Sequence, residues 1–380
     1  MNILHLTHTD INSDSRILKE MHSITNANDA YNVSGIGVSS NENSNTGNNL
    51  EGIKIYSITL HSRRYTFLPR VIRHMISLVE LTSKMVFKAI RLNPKVIHCN
   101  DTLVLPLGAI VKLFTGAKLI YDAHELESDR NGLTKALSKL TLWTEKFLWR
   151  YIDALIVVSP SIEKWYMENI GEKYSEIILN APVVLESNIK GDKSYFRSKF
   201  SIPNEAKIFL YIGILGHGRG IDLITEAFKE NDLSSHVVFL GYGEMKEELK
   251  NLSDKCKNIH VHDAVPHEEV VSVAKSADIG LCLIQNVSLS DYYCLPNKLF
   301  EYCFAEIPVL ASDFPDITEV VTRYNLGKCS ALDAQSISVA IKEFENMEEL
   351  PKIDLENLYE LSWAAQEEKL IKFYEQIIKG

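Results

Sequence analysis

In the run PNKLFEY, Asn297, Lys298 and Glu301 fall within four residues of one another, so on a helix all three come within reach of one ligand. Pro296 suits the first helical position, and the unpaired amides of a helix start favour an anion. A carboxylate beside such an end fits a nucleotide. The diphosphate would meet the amides and the Lys298 charge, while two ribose hydroxyls would donate to Glu301. Leu299, Phe300, Cys303 and Phe304 recur at helical spacing as a packing stripe, which leaves Lys298 and Glu301 expected on the exposed side. An ordinary amphipathic helix with a solvated Lys and Glu is the bland alternative.

A second candidate phosphate grip is GILGHGRG, which follows the apolar run KIFLYIG. Gly213, Gly216, Gly218 and Gly220 permit close backbone approach, and Arg219 can neutralise a diphosphate. The loop lacks the Lys-Ser/Thr ending of a Walker motif, and it is not GxGxxG with an acid about 20 residues on. In FLGYGEM, Tyr242 is placed to edge a base or to fill the end of a sheet.

The first half carries three polar clusters at the ends of apolar runs: His8, Asp10, Asp14 and Arg16; His98, Asn100 and Asp101; Asp122, His124 and Glu125. Open parallel sheets bind ligands at their carboxyl edge. His124, Arg16 and Asp101 are the candidates for chemistry there. His98, inside a strand, reads rather as a satisfied core histidine, and Asp14 with Ser15 as helix caps.

These residues need elements to hold them. NILHLT, VIHCN, KLIYDA, DALIVVS, KIFLYIG, HVVFLG, DIGLCLI and IPVLAS are short apolar runs bounded by turn signals, alternating with helical patterns such as the one from Ser15. That alternation implies α/β structure with parallel sheets. The first half ends in a strand near residues 178–180 and the second starts at Ile208. The polar segment 181–204, with Pro182 and Pro203 near its ends, is the expected linker. Two Rossmann-like halves follow. Residues 39–50 read as a flexible loop. The terminal helical pattern, with Leu370, Phe373 and Ile377 on one stripe, is suited to crossing back to the first half.

A chain of 380 residues exceeds one ordinary core. Six scattered cysteines with no CxxC pair suggest reduced thiols in the cytosol. Neither a leader nor a membrane span is expected, since no apolar run is long enough. A net charge of −10 argues against general nucleic-acid binding. The exception lies in residues 60–95, where Arg63, Arg64, Arg70, Arg73, Lys84, Lys88, Arg91 and Lys95 face the single acid Glu80 and alternate with apolar residues. Such a stretch suits an anionic membrane surface, or else a packing helix with a basic rim.

Taken in order, DSRILKE, VIHCNDTLVLPLG, YDAHE, ILNAP, YIGILGHGRGI, FLGYGEM, VPHEEV, ADIGL, PNKLFEY and IPVLAS resemble the family 4 glycosyltransferases of the GT-B fold over nearly the whole chain. The resemblance implies two Rossmann-like parallel-sheet domains facing each other across a cleft: residues 1–185 for the acceptor, 186–360 for the nucleotide-sugar donor, and 361–380 as a helix returning to the first domain. It implies transfer of a sugar with retention, no metal and no cofactor. Glu301 would hold the ribose, Arg219 and Lys298 the diphosphate, and the amides near Leu295, Pro296 and Asn297 phosphate and sugar; Gly213, Gly218 and Tyr242 complete the donor set. His124 matches a first-domain histidine near the donor sugar, and Asp14 and Tyr293 are candidates for acceptor or sugar contact.

Three departures stand out. Tyr293 occupies the place of a second Glu eight residues before Glu301, Glu306 replaces the usual Gly after the helix, and the N-terminal loop lacks paired glycines. The expected partners are a nucleotide-sugar, with uridine as the family-level choice, and a glycan or lipid-linked acceptor of surface polysaccharide such as O-antigen or capsule. No nucleic acid is expected, and the location is cytoplasmic or peripheral on the inner membrane face. A sugar-nucleotide epimerase or hydrolase, or an inactive scaffold for a partner transferase, are the alternatives.

Overall fold

A computed structural model describes residues 1–39, 48–50, 52–183, 191–230 and 233–379. Two compact units divide the chain, Met1–Ile178 with Glu367–Gly380, and Leu179–Gln366. Among the described residues, the sheet of the first unit holds β1 (Asn2–Leu6), β2 (Asn32–Val38), β3 (Asn48–Leu50), β4 (Ile53–Ile58), β5 (Val96–Asn100), β6 (Lys118–Ala123), β7 (Ala154–Val157) and β8 (Tyr174–Ile177). Their spatial order is β3-β4-β2-β1-β5-β6-β7-β8, parallel except for β3 against β4. Between the strands run α1 (Ser15–Ala27), α2 (Arg70–Leu92), α3 (Leu105–Thr115), α4 (Lys135–Leu148) and α5 (Pro160–Asn169).

In the second unit α6 (Tyr195–Phe200) precedes a wholly parallel sheet of β9 (Ile208–Ile214), β10 (His236–Tyr242), β11 (Ile259–Asp263), β12 (Ile279–Cys282), β13 (Val309–Ser312) and β14 (Gly327–Ser330), ordered β11-β10-β9-β12-β13-β14. Its helices are α7 (Ile221–Glu230), α8 (Lys246–Ser253), α9 (Val270–Ala274), α10 (Leu289–Tyr292), α11 (Asn297–Phe304), α12 (Pro315–Arg323) and α13 (Ala334–Glu345). The last helix, α14 (Trp363–Lys379), starts in the second unit and ends in the first. Its stripe of Leu370, Phe373, Tyr374 and Ile377 is buried, each side chain contributing about 1.5–3 kcal/mol relative to exposure.

The eight apolar runs read from the sequence all form parallel strands, because strands covered on both faces need continuous apolar character. The strand expected near 178–180 lies a little earlier, as β8. The segment read as an irregular linker contains α6, whose Phe196 is fully buried; residues 184–190 of it lie outside the described residues. Likewise residues 40–47 of the low-complexity stretch lie outside them, while Asn48–Leu50 form the edge strand β3.

After α11 the chain turns through Glu306 at φ +60°. The departure from Gly is therefore a backbone cost of about 1–3 kcal/mol rather than a different turn. Glu306 pairs there with Lys275.

Candidate functional site

Because β1, β5 and β6 are neighbours in the sheet, their carboxyl ends bring the three polar clusters of the first unit together. Asp122, fully buried near the end of β6, is the hub. Its carboxylate accepts from Arg16 (Nη2 to Oδ1 3.1 Å and to Oδ2 3.2 Å), from His124 Nε2 at 3.1 Å and from His98 Nε2 at 3.3 Å. Burial disfavours that charge, yet Arg16 and then His124 hold the Asp122 carboxyl well below the usual range. Burial also opposes the charge of His124, but Asp122 and then Asp101 outweigh it and push the imidazole up to about 10. His124 is thus an imidazolium at neutral pH.

The other ring nitrogen of His124 lies 3.5 Å from Asp101 Oδ1, and Asp101 Oδ2 lies 3.7 Å from His8 Nδ1. Burial lowers the His8 pKa, so this histidine is the neutral one of the pair. Asp101 itself stands at φ 71°, ψ 159°, in a region that costs a non-glycine residue about 1–3 kcal/mol. Its amide donates to Asp122 O at 3.0 Å, which fixes the strained turn to the hub strand.

Arg16, expected among the catalytic groups, is instead buried among internal partners: Asp122, Glu20 and the carbonyl of Ile178 at 3.1 Å. It is thus the buried counter-charge of Asp122 and Glu20. Asp14 caps α1 by accepting from the Ile17 amide at 3.1 Å. His98 is the core histidine the sequence suggests: its Nδ1 faces Tyr374 Oη of α14 at 2.7 Å, and its ring stacks on His5 at 4.3 Å between centroids.

Other groups at this edge stand outside the three clusters. Glu20, one helical turn after Arg16, is fully buried, and burial followed by the Asp122 charge raises its carboxyl to about 7. His5, Glu20 and His98 bring ligand-type atoms within 4.8 Å of one another. The Arg16 guanidinium, 3.1 Å from Glu20, already supplies positive charge there, and Tyr374 and Asp122 occupy both nitrogens of His98, so this set does not suit a metal. Glu127, in the loop after β6, is buried, and its Oε1 has no hydrogen-bond partner among the described residues; burial and then the Asp101 charge raise its carboxyl well above the usual range.

In the second unit the carboxyl ends of β9, β10 and β12 carry the expected donor residues. The loop after β9 is pinned to the segment following β12: Gln285 donates its amide to Gly218 O at 3.1 Å. Gly220, at φ +76°, leaves no room for a side chain, since a Cβ would stand 1.9 Å from Leu283 O. Between these anchors Arg219 projects, partly exposed, with Nη1 3.6 Å from Asp291 Oδ1. Asp291 is buried and is itself held by the Ser288 hydroxyl at 2.7 Å.

Lys298 reaches back under this loop. Its Nζ is buried with no hydrogen-bond partner among the described residues, 3.8 Å from the centre of the Tyr211 ring. Gly213 lies beside it, where a Cβ would stand 3.9 Å from the ammonium. An unpaired, desolvated ammonium is costly unless an anion joins it. Helix α11 begins at Asn297, so Pro296 is its N-cap rather than its first residue, and no side chain caps the first amides. Leu299, Phe300, Cys303 and Phe304 are buried as expected, and Asn297 is exposed.

Glu301 is not on the exposed side. α9 packs against α11, and Glu301 is only 6% exposed, with Oε1 3.8 Å from His267 Nδ1. Tyr242 is 63% exposed at the end of β10, and so does not fill the sheet end. Tyr293 lies tilted against Tyr292, at 5.3 Å between ring centroids, and Tyr292 in turn meets Phe314 at 5.0 Å. The place expected for a carboxylate is therefore aromatic. Burial raises the Cys282 thiol to about 12 and also raises those of Cys294 and Cys303, which makes them poor nucleophiles.

Both halves match known family models: residues 192–358 match the glycosyl transferases group 1 and residues 41–181 match glycosyltransferase family 4. The O-antigen biosynthesis glycosyltransferase WbnH of Escherichia coli is 29% identical over 213 residues, 56% of each chain. The chain thus spans about half the length of the curated relatives it matches. Among solved structures, sucrose-phosphate synthase from Thermosynechococcus elongatus aligns with TM-score 0.71 at 14% identity, over 100% of this chain and 94% of that one. HepE of Anabaena, solved with UDP-glucose, aligns with TM-score 0.68 at 14% identity, over 100% and 98%. These two likenesses give the fold, two parallel-sheet α/β domains of the GT-B type.

Proposed function

Since the chain belongs to the family 4 glycosyltransferases, we propose that it moves a sugar from a nucleoside diphosphate donor, a UDP-sugar, to a glycan or lipid-linked acceptor of surface polysaccharide such as O-antigen or capsule. The observation that carries this reading is the buried, unpartnered Lys298 ammonium beside the glycine loop, with Arg219 and Glu301 at the same sheet edge. Lys298, Arg219 and the uncapped amides of α11 take the diphosphate, and Glu301 takes the ribose hydroxyls. WbnH and HepE support the acceptor class and the base by their names alone.

The transfer proceeds with retention and without a metal. The leaving diphosphate is stabilised by Lys298 and Arg219 while the acceptor hydroxyl enters on the same face, so positioning and electrostatics supply the rate. His124 contributes a fixed imidazolium. Its Nε2 stays on Asp122, and the longer Nδ1 contact to Asp101 is the one a substrate oxygen can replace. Incubating donor and lipid-linked acceptor in chelator, with the product's anomeric configuration read by NMR, tests this. Retention is expected; inversion, or donor turnover unchanged by leaving out the acceptor, contradicts it and favours an epimerase or hydrolase.

The lipid-linked part rests on α2. Val71, Met75, Val79 and Phe87 are more than half exposed alongside Arg70, Arg73, Lys84, Lys88 and Arg91, while only Leu81, Met85 and Ala89 are buried. No helix among the described residues is long and apolar enough to cross a membrane. The helix instead lies on an anionic leaflet. Vesicles containing phosphatidylglycerol are expected to retain the protein where phosphatidylcholine vesicles do not, and Met75→Glu with Val79→Glu to release it. Equal retention on both vesicle types contradicts the assignment.

A further inference from the structure

Within the first unit, α14 buries the hydroxyl of Tyr374 at His98 Nδ1, 2.7 Å away. The other ring nitrogen of His98 faces carboxylates, with Asp122 Oδ2 at 3.3 Å and Glu20 Oε2 at 3.6 Å. Burial opposes the Asp122 charge, but Arg16 and then His124 keep it, so this carboxylate accepts and His98 Nε2 carries a proton. A single proton on Nε2 leaves Nδ1 as an acceptor. Burial, followed by the Glu20 and Asp122 charges, raises the Tyr374 hydroxyl well above its ordinary value, so it keeps its hydrogen to donate. His5, whose ring stacks on that of His98, is neutral because burial and then His98 lower it, and its Nε2 lies 3.5 Å from Tyr374 Oη, the longer of the two approaches to that hydroxyl.

We propose that Tyr374 is a positioning residue for the transfer: its hydroxyl donates to His98 Nδ1, fixes the one ring proton on Nε2, and so holds the Asp122 oxygen that anchors His124. This rests on the proposed role of His124. That oxygen, Asp122 Oδ2, receives His98 Nε2 together with His124 Nε2 at 3.1 Å and Arg16 Nη2 at 3.2 Å. Three donors converging on one oxygen fix it, and hydrogen bonds in series polarise one another in a dry interior. A His98 ring that moved its proton to Nδ1 would turn a lone pair on the same oxygen. One that took a second proton would set a further cation against Asp122, in competition with His124. A Tyr374 hydroxyl that accepted from Nδ1 would leave its own hydrogen only the 3.5 Å approach to His5, so the donating arrangement is the better satisfied one.

The test is ring-nitrogen NMR on the full chain with isotope-labelled histidines, joined to turnover measurements. Wild type is expected to show His98 as a neutral ring protonated on Nε2, and Tyr374→Phe, which keeps the packed ring and removes only the hydroxyl, to lose that single pattern. Turnover in Tyr374→Phe should fall about tenfold with UDP affinity within about twofold of wild type. In a His124→Gln background the same change should lower turnover no further, since both substitutions then act on one group. A Tyr374 that merely packs α14 would lower turnover equally in both backgrounds, which would overturn the proposal. So would a wild-type His98 that carries its proton on Nδ1, or a Tyr374→Phe protein with the wild-type His98 pattern. If the spectra behave as expected while His124→Gln itself leaves turnover unchanged, the role of His124 falls and with it the link to transfer, whereas the proton arrangement stands.

Discussion

Lys298→Ala is expected to weaken nucleoside diphosphate binding by about 30-fold while leaving nucleoside monophosphate binding within about threefold. The asymmetry follows from where the ammonium sits. Its Nζ lies over the Tyr211 ring at 3.8 Å, buried, with no acceptor of its own among the described residues. The ring face offers a cation about 1 kcal/mol or somewhat more, which does not offset the loss of water. A diphosphate oxygen arriving beside Gly213 would complete a charge-assisted pair in a dry site, and such pairs are among the strong ones. Calorimetry with UDP and UMP reads the difference. Lys298→Met is the companion variant, since it preserves the packing of the aliphatic stem and removes only the charge; it should behave as Lys298→Ala does. Lys298→Arg should not restore binding in full, because a bulkier planar fork has to fit the space that the ammonium occupies between the Tyr211 ring face and Gly213.

On the proposed role of His124, His124→Gln is expected to lower turnover by about 100-fold with nucleotide affinity unchanged, because one oriented cation is lost. The same variant has a signature in stability. The folded value of about 10 lies above the ordinary 6.5, so folding favours the protonated ring. Its contribution is fully present below about pH 6.5 and is lost as pH rises towards 10. Thermal unfolding should therefore show a falling melting temperature from neutral to alkaline pH in wild type, and a flatter profile in His124→Gln. Asp122 works in the opposite sense: its depressed value contributes stability that disappears as pH drops below the ordinary carboxylate range. Measuring both limbs separates the two groups. An alkaline limb unchanged in His124→Gln would mean that the ring is not held as an imidazolium.

What could be read in the sequence was what local pattern encodes. The apolar runs of β1, β5, β6 and β9 announce strands covered on both faces, and the helix stripe of Leu299, Phe300, Cys303 and Phe304 shows which side of α11 packs. Strands β2, with its internal glycines, β11, which alternates His with apolar residues, and β14, reading GKCS, carry no such run. Lys298 and Glu301 were recognisable as residue types at a helical spacing, but their burial was not. Burial depends on contacts between segments remote in sequence, such as Tyr211 beneath Lys298 and His267 beside Glu301. The same reason hid the difference between Arg16 and His124. Both stand in polar clusters at strand ends, and only the adjacency of β1, β5 and β6 makes one the buried counter-charge and leaves the other partly open, at 18% exposure. Glu20 did leave a signal, an acid one turn after a basic residue on the inner face of α1, where a solvated pair would have pointed outward.

A nucleoside diphosphate site built on Lys298 in the second unit, needing no metal, is what the proposed activity depends on most. Titration of UDP into the full chain in the presence of a chelator tests it directly, with Lys298→Ala run in parallel. Saturable one-site binding is expected in wild type, strongly weakened in the variant. Binding that appears only when a divalent ion is restored, or that Lys298→Ala leaves unchanged, would contradict it.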